Sequence, residues 1–235
     1  MKAPVSSGGG ARQVAPEGSH VARCYQVIDH GTHFDEKWNK RNRKVQFMFE
    51  LPYEKAVFNE EKGEQPFYVR TQFNMFMNEK ASLRKFIEAW MGKTMTDKQA
   101  ADFDITSLIG QPCMLNVVHN VKGENTYANI ASIMPVPKGT QVPPAINEQL
   151  VFDTLNPDKD VFDKLPEFLQ EIIKDSDEIK LLSGQPKKQP QQPAHSFQQE
   201  RTAHQRPAAQ QQPEIIESPD DDFFDSLIGG EKDPF

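Results

Sequence analysis

Residues 66–92 read PFYVRTQFNMFMNEKASLRKFIEAWMG, and the spacing of their apolar residues changes part-way along. Over residues 66–73 apolar and polar residues alternate, as in a β-strand that is buried on one face. Further on, the apolar positions have helical spacing, at Leu83, Phe86, Ile87, Trp90 and Met91. This pattern predicts an amphipathic helix that packs its apolar stripe on a core and ends at Gly92.

Alternating stretches on both sides of this segment predict four more strands. SHVARCYQVID (19–29) places Val21, Tyr25 and Val27 on one face and Ala22, Cys24 and Ile28 on the other. RKVQFMFEL (43–51) follows, and PCMLNVVHN (112–120) and TYANIASIMPV (126–136) come after the helix. A short second helix is predicted from Thr96, where T-D-K-Q matches a capping box.

The predicted order is strand, strand, strand, helix, strand, strand. This is the order of the OB-fold, a small barrel that binds oligonucleotides or oligosaccharides. We therefore predict a mainly β protein, a five-stranded OB-fold barrel with a helix between strands 3 and 4. A different small β-barrel and an α+β sheet are the alternatives.

Composition divides the chain into five parts. Residues 185–213 contain 10 Gln and 5 Pro among 29 residues, too few apolar groups to offset the chain entropy of folding. Helical spacing in VFDKLPEFLQEIIKDSDEIKLL predicts one helix over about 166–182. The predicted parts are a disordered arm (1–17), an OB-fold domain (18–140), a helical extension (141–184), a disordered linker (185–213) and an acidic tail (214–235).

The net charge of −7 hides an asymmetry. Residues 1–140 hold 18 Lys and Arg against 15 Asp and Glu, a net of +3, whereas residues 214–235 hold 1 against 8, a net of −7. A nucleic-acid partner is therefore not excluded by the acidic total. Two isolated cysteines, Cys24 and Cys113, predict buried thiols in a reducing cytoplasm. No apolar run predicts a signal peptide or a membrane span.

Motifs for catalysis are absent from the sequence. It contains no CxxC pair, HExxH, GxSxG, P-loop or GxGxxG, so we predict a protein that is not an enzyme and has no cofactor. HGTH, with His30 and His33, is the one stretch that suggests a metal site, and a solvated turn is the simpler interpretation. We predict no metal.

HFDEKWNKRNRK (33–44) carries the signal for nucleic-acid binding. Rings stack on unpaired bases while cations attract phosphates, the combination used in single-strand binding. The third strand adds polar and aromatic side chains on the face opposite Phe67 and Val69. Tyr53 and Tyr127 are weaker candidates. The predicted DNA-binding residues are Phe34, Lys37, Trp38, Lys40, Arg41, Arg43, Lys44, Tyr68, Arg70 and Lys122.

The predicted DNA-binding residues also have simpler interpretations. The basic stretch is alternatively an ordinary solvated loop, and Trp38 a lid over the barrel end. Tyr68 and Arg70 are alternatively part of a plain exposed strand face.

The chain ends in DDDFFDSLIGGEKDPF (220–235), apolar side chains surrounded by acids. Such a segment can dock on a partner protein, or compete with DNA for the basic surface of its own chain. Alternatively it is a solubilising terminus. The predicted partner-binding residues are Asp220, Asp221, Asp222, Phe223, Phe224, Leu227, Ile228, Asp233, Pro234 and Phe235.

This layout resembles that of single-stranded DNA-binding proteins, and the end of the tail resembles the terminal acidic Pro-Phe peptide of the bacterial family. It departs from that pattern because FFDSLIGGEK separates the acidic run from DPF. The front half is instead similar to a family of phage-encoded OB-type single-stranded DNA-binding proteins. The similar stretches are GSHVARCYQVIDHGTHF, RKVQFMFELP, LIGQPCMLNVVH, YANIASIMPVPKG and LPEFLQEIIKDSDE.

The resemblance implies a protein that coats unpaired DNA in phage replication or recombination, in the cytoplasm of the host cell. It also implies that the tail recruits enzymes such as a polymerase, helicase or nuclease. The oligomeric state stays open, and a homo-oligomer is one of the forms that such proteins take. The alternative function is a non-enzymatic adaptor whose barrel binds protein.

Overall fold

The computed structural model describes residues 13–184, which are mainly β. The strands are β1 (Gly18–Asp35), β2 (Lys40–Asn59), β3 (Gly63–Asn74), β4 (Pro112–Lys122), β5 (Asn125–Met134) and β6 (Leu150–Phe152). The helices are α1 (Ser82–Met91), α2 (Asp97–Ala101), α3 (Lys159–Lys164), α4 (Glu167–Lys174) and α5 (Asp177–Leu182), with a 3₁₀ helix at Ile105–Leu108. The predicted linker at 185–213 and the predicted tail at 214–235 lie outside the described residues.

The strands form one sheet in the order β3-β2-β1-β4-β5, and all of these neighbours are antiparallel. β6 pairs in parallel with β1. The five predicted strands are present, and α1 lies between β3 and β4 in the chain, as expected. β6 was not predicted, since three residues are too few to show a period. Among the described residues no ladder joins β3 to β5, although some of their Cα atoms lie within 8 Å of each other.

Both hairpins that involve β2 are longer than the sequence predicts. The stretch 33–44, expected as a loop, is paired down to Asp35 opposite Lys40. In the β2–β3 hairpin the pairing likewise continues beyond the apolar residues, to Asn59 opposite Gly63. Alternation fails to reveal these ends because a hairpin that extends past the core no longer has one buried and one exposed face, and exposed apolar residues such as Val57 and Phe58 follow one another there.

A bulge in β1 explains a second difference. The predicted faces of this strand assumed an unbroken period of two, but the register of β1 against β2 shifts between Cys24 and Gln26. Ala22, Cys24 and Val27 therefore share the core face, and Ile28 faces the other side of the sheet. Sequence alternation cannot locate a bulge, because the extra residue changes the phase of everything after it.

The main core lies between the sheet and α1. Phe47 and Phe49 of β2 are fully buried and pack on Phe86 and Trp90 of α1, with ring centroids 5.2–6.3 Å apart. The indole nitrogen of Trp90 donates to the carbonyl of Pro112, 3.0 Å away. These contacts confirm the predicted apolar stripe of α1, and the left-handed C-cap at Gly92 confirms its predicted end. The capping box predicted at Thr96 is also present.

The C-terminal segment folds into three short helices, so the prediction of one helix over 166–182 is wrong. The break comes at Ser176, whose hydroxyl accepts a hydrogen bond from the backbone N–H of Ile179 and so starts a new helix. Together the helices cover the second face of the sheet with a smaller core. Its buried members are Ile28, Phe152, Leu165, Leu169 and Ile173.

Residues 13–17, the described end of the predicted N-terminal arm, have no helix or strand. Ala15 is nevertheless buried, and its carbonyl oxygen lies 2.8 Å from Nε2 of His119. The carboxylate of Glu17 accepts from the backbone N–H of His119 at 2.7 Å. These residues are therefore fixed against the end of β4.

We predict that Gly31→Ala destabilises the fold more than Gly63→Ala. Both glycines have a positive φ, +76° and +65°, so each alanine introduces backbone strain. At Gly31 a new Cβ also lies 2.5 Å from Cβ of Ser176, whereas at Gly63 it meets nothing within 4 Å. Urea unfolding should show a loss of about 2–4 kcal/mol for Gly31→Ala and about 1–2 kcal/mol for Gly63→Ala. Equal losses would mean that α5 does not hold its place against β1.

Candidate nucleic-acid interface

The turn between β1 and β2 presents an exposed ring beside a cation. The side chain of Asp35 shapes this turn, because its Oδ1 accepts from the backbone N–H groups of Lys37 and Trp38 at 3.0 and 3.4 Å. Asn39 completes it with a left-handed φ of 49°. Trp38 is 39% exposed, and Nζ of Lys37 lies 4.7 Å from the centroid of the indole ring. This geometry favours a cation–π contact over burial of the indole.

Two of the predicted cations here are not engaged by acids. Lys37 and Lys40 are exposed, and no carboxylate of residues 13–184 lies within 4.0 Å of their amines. Arg41 differs, since it forms an ion pair with Asp177 at the start of α5. Its guanidinium carbon also lies 5.6 Å from the ring centroid of Phe34. We call Phe34, Lys37, Trp38, Lys40 and Arg41 the hairpin cluster.

Arg43 is partly buried, with 26% of its side chain exposed, and it is paired with acids of the protein, whereas the sequence predicted it against phosphate. Its Nη2 lies 2.6 Å from Oδ2 of Asp29 and 3.2 Å from Oδ1 of Asp153. Burial by itself would raise the pKa of Asp29, but hydrogen bonds from Arg43 and Thr154 bring that pKa below its ordinary value. The same hydrogen bond from Arg43 to Asp29 raises the pKa of Arg43. Arg43 thus joins β1, β2 and the segment after β6.

Tyr68 and Arg70 form a second exposed cluster on β3. They lie on the face opposite the buried Val69, as the sequence predicts, and Tyr68 is 48% exposed. The guanidinium carbon of Arg70 lies 5.6 Å from the ring centroid of Phe168 on α4. The sequence interpretation missed Phe168. The sequence does mark this residue, because Phe168 is apolar but lies outside the apolar stripe of the helix, which contains Leu169.

Between the two clusters the sheet is covered. Ile28 of β1 pairs with Gln46 of β2, and both are buried, at 0% and 3% exposure. The backbone N–H and hydroxyl of Thr32 donate to the carboxylate of Glu178 at 2.7 and 2.6 Å, which fixes α5 to β1. The predicted interface is therefore not one continuous face.

Lys122 and the weaker candidates lie elsewhere. Lys122 ends β4, which runs antiparallel to β1 and passes Gly18 at the start of that strand. The hairpin cluster lies at the other end of β1, so the structure does not bring Lys122 to it. Tyr127 is exposed near Lys122, opposite Asn120. Tyr53 donates its hydroxyl hydrogen bond to the carbonyl of Gln141 at 3.0 Å.

His30 of β1 is buried, and its Nε2 has no hydrogen-bond partner among residues 13–184. Burial and the neighbouring His33 lower the pKa of His30 to about 4. Residues 13–184 contain no group of three or more side chains placed to hold a metal ion. None of the helices in that range is long and apolar enough to cross a membrane. The predicted partner-binding residues of the tail fall outside the described part of the chain.

Comparison with protein-family models and with curated proteins gives no match for this chain.

We predict that the protein loses stability as the pH falls from about 6.5 to about 4. Unfolded His30 takes up a proton near its ordinary pKa of 6.5, but folded His30 does so only near 4, so protons favour the unfolded chain in this window. The loss should reach roughly 2–4 kcal/mol. Urea unfolding across this pH range measures it. His30→Gln should flatten the profile. An unchanged profile in His30→Gln would contradict the assignment.

Proposed function

We propose that this chain is a non-enzymatic protein that binds single-stranded DNA through the hairpin cluster. The observation that carries the proposal is Trp38, an indole 39% exposed on a turn beside Lys37 and Lys40. An exposed indole costs solvation free energy unless something covers it. Unpaired bases offer flat faces to stack on it, while the free amines meet the adjacent phosphates.

Unpaired nucleic acid fits this cluster better than a duplex. In a duplex both faces of each base are already stacked, so a ring on a turn gains little there. The cluster also offers no fixed array of donors and acceptors for reading base edges, since its contacts are charge and ring faces. Binding of this kind tolerates any sequence, which suits a protein that coats DNA.

The sheet order supports an OB-type barrel as the finer fold. β1 pairs with both β2 and β4, and α1 stands between β3 and β4 in the chain. The edge strands β3 and β5 lie near one another, as barrel closure requires. OB-folds bind single strands on the outer surface of strands 2 and 3 and on the adjoining loops. Both clusters lie in those places.

The sequence resemblance extends the proposal to biology. It supports a phage single-stranded DNA-binding protein that acts in the host cytoplasm during replication or recombination. The tail at 214–235 would recruit a polymerase, helicase or nuclease, with Phe235 as an apolar anchor and the acids at its rim.

Oligo-dT should quench the tryptophan fluorescence, and Trp38 should be the source. The only other tryptophan, Trp90, is 3% exposed in the core and cannot touch a bound base. Trp38→Ala should lower affinity by about 5- to 100-fold, because one stacked base is worth about 1–3 kcal/mol. Trp38→Phe should keep most of the affinity and lose the quenching.

The salt dependence of the affinity tests how much charge contributes to binding. In the wild-type chain log K should fall linearly with log[salt], by about 0.7 for each phosphate contacted. Absence of oligo-dT binding at low salt would overturn the proposed function. Quenching that persists in Trp38→Phe would remove Trp38 from the site.

A chain that ends at residue 213 should bind oligo-dT as tightly as the full chain or more tightly. The deleted segment carries a net charge of −7, which competes with phosphate for the same cations. A control that replaces Phe223, Phe224 and Phe235 by Ser keeps this charge, and should bind DNA as the wild type does but fail to retain replication enzymes in a pull-down. Weaker DNA binding by the shortened chain would contradict the competitor role.

A further inference from the structure

Phe168 is exposed at a position where a helix of this kind usually has a polar residue. Its neighbour Leu169 is 1% exposed and Ile173 is fully buried in the second core, so α4 is firmly packed. Phe168 itself is 48% exposed. About half of this ring therefore remains accessible to solvent, although α4 is packed through Leu169 and Ile173.

Arg70 is held beside this ring by the tertiary structure. Its guanidinium carbon lies 5.6 Å from the ring centroid, and no carboxylate of residues 13–184 lies within 4.0 Å of the guanidinium. The positive charge of Arg70 is therefore available to an anion from solvent. A cation–π contact with Phe168 limits the orientations that the guanidinium adopts.

Tyr68 is a second exposed ring close to Arg70 along the chain. It lies two residues before Arg70 on the same face of β3, which is about 6.6 Å along a strand. Tyr68 and Phe168 are equally exposed, at 48% each. Two half-exposed rings thus accompany an arginine that has no carboxylate partner among residues 13–184, and rings together with a cation are the combination used in single-strand binding.

We propose that Tyr68, Arg70 and Phe168 form a second binding site for single-stranded DNA, in which bases stack on the two rings and a phosphate meets Arg70. This inference rests on the proposed function and extends it, because it makes α4 part of the DNA-binding surface. The C-terminal extension then does more than cover the sheet. It supplies a ring that the β-strands alone do not have.

The charged residues around Phe168 indicate whether charge or stacking dominates its contribution to binding. Glu167 and Glu171 are exposed on the same helix, so the ring lies in a locally acidic surface. Attraction of phosphate there depends on Arg70, and stacking supplies most of the affinity that Phe168 adds. Removing the ring should therefore weaken binding without changing the salt dependence, whereas removing the charge of Lys37 should lower the salt slope by about 0.7.

The test compares Phe168→Ala with Ile172→Ala in the full chain. Both residues are exposed apolar side chains on α4, at 48% and 37% exposure, and Ile172 has no aromatic ring. Phe168→Ala should weaken oligo-dT binding about 5- to 100-fold at every salt concentration, and Ile172→Ala should stay within about twofold of the wild type. Phe168→Tyr, which keeps a ring, should bind as the wild type does.

Folding is controlled with Phe168→Leu, which keeps the apolar contact but has no ring. It should lose as much affinity as Phe168→Ala while keeping the urea midpoint of the wild type. The second site is overturned if the wild type binds oligo-dT and both variants, Phe168→Ala and Phe168→Leu, bind it as tightly as the wild type does. Phe168 is then a packing residue. If the wild type itself does not bind, the proposed function fails instead, so the two failures are distinct.

Discussion

β1 pairs with β4 over residues 18–23, with β6 over residues 26–28 and with β2 over residues 23–35, and the rest of the structure depends on that pairing. Its two faces belong to different cores, with Val27 in the core under α1 and Ile28 in the core under the C-terminal helices. Because neighbouring residues of one strand serve opposite faces, a shift of one residue would exchange the two cores. The bulge after Cys24 sets the phase that keeps them apart.

Charged groups, as well as apolar contacts, join the irregular segments to this strand pair. Glu50 is fully buried and accepts hydrogen bonds from the backbone N–H groups of Ile146 and Asn147 at 2.8 and 2.9 Å. Arg23 lies opposite Glu50 in the backbone register of β1 and β2. Its side chain donates to the carbonyls of Gly110, Val142 and Pro143. Asp29 and Arg43 act in the same way on the segment after β6. A loop cannot bury its own backbone polar groups without such partners.

The C-terminal helices cover the part of the sheet that lies between the two clusters, and this separates the two proposed contact points for a single strand. Helices α4 and α5 fill the middle of the β1–β2 face and leave ring-and-cation groups exposed on either side. About eight residues of β2 separate the level of Lys40 from that of Met48, which pairs with Arg70, a distance of roughly 26 Å along the strand. Under the proposed function, one strand of DNA that reached both clusters would span this distance.

The sequence alone determined the order of the five longer strands and α1 along the chain, the apolar stripe of α1, its C-cap at Gly92 and the capping box at Thr96, since those depend on periods and on local hydrogen bonds within a few residues. It also singled out Trp38, Lys37 and Lys40, because a run of cations and rings needs no partner to be seen. Only the tertiary structure decided that Arg43 pairs with Asp29 and that Phe168 stands beside Arg70. Both contacts join residues from different elements, and no local pattern records which distant side chain will lie opposite. The break at Ser176 is different, because it is a local N-cap that the helical spacing of the apolar residues concealed.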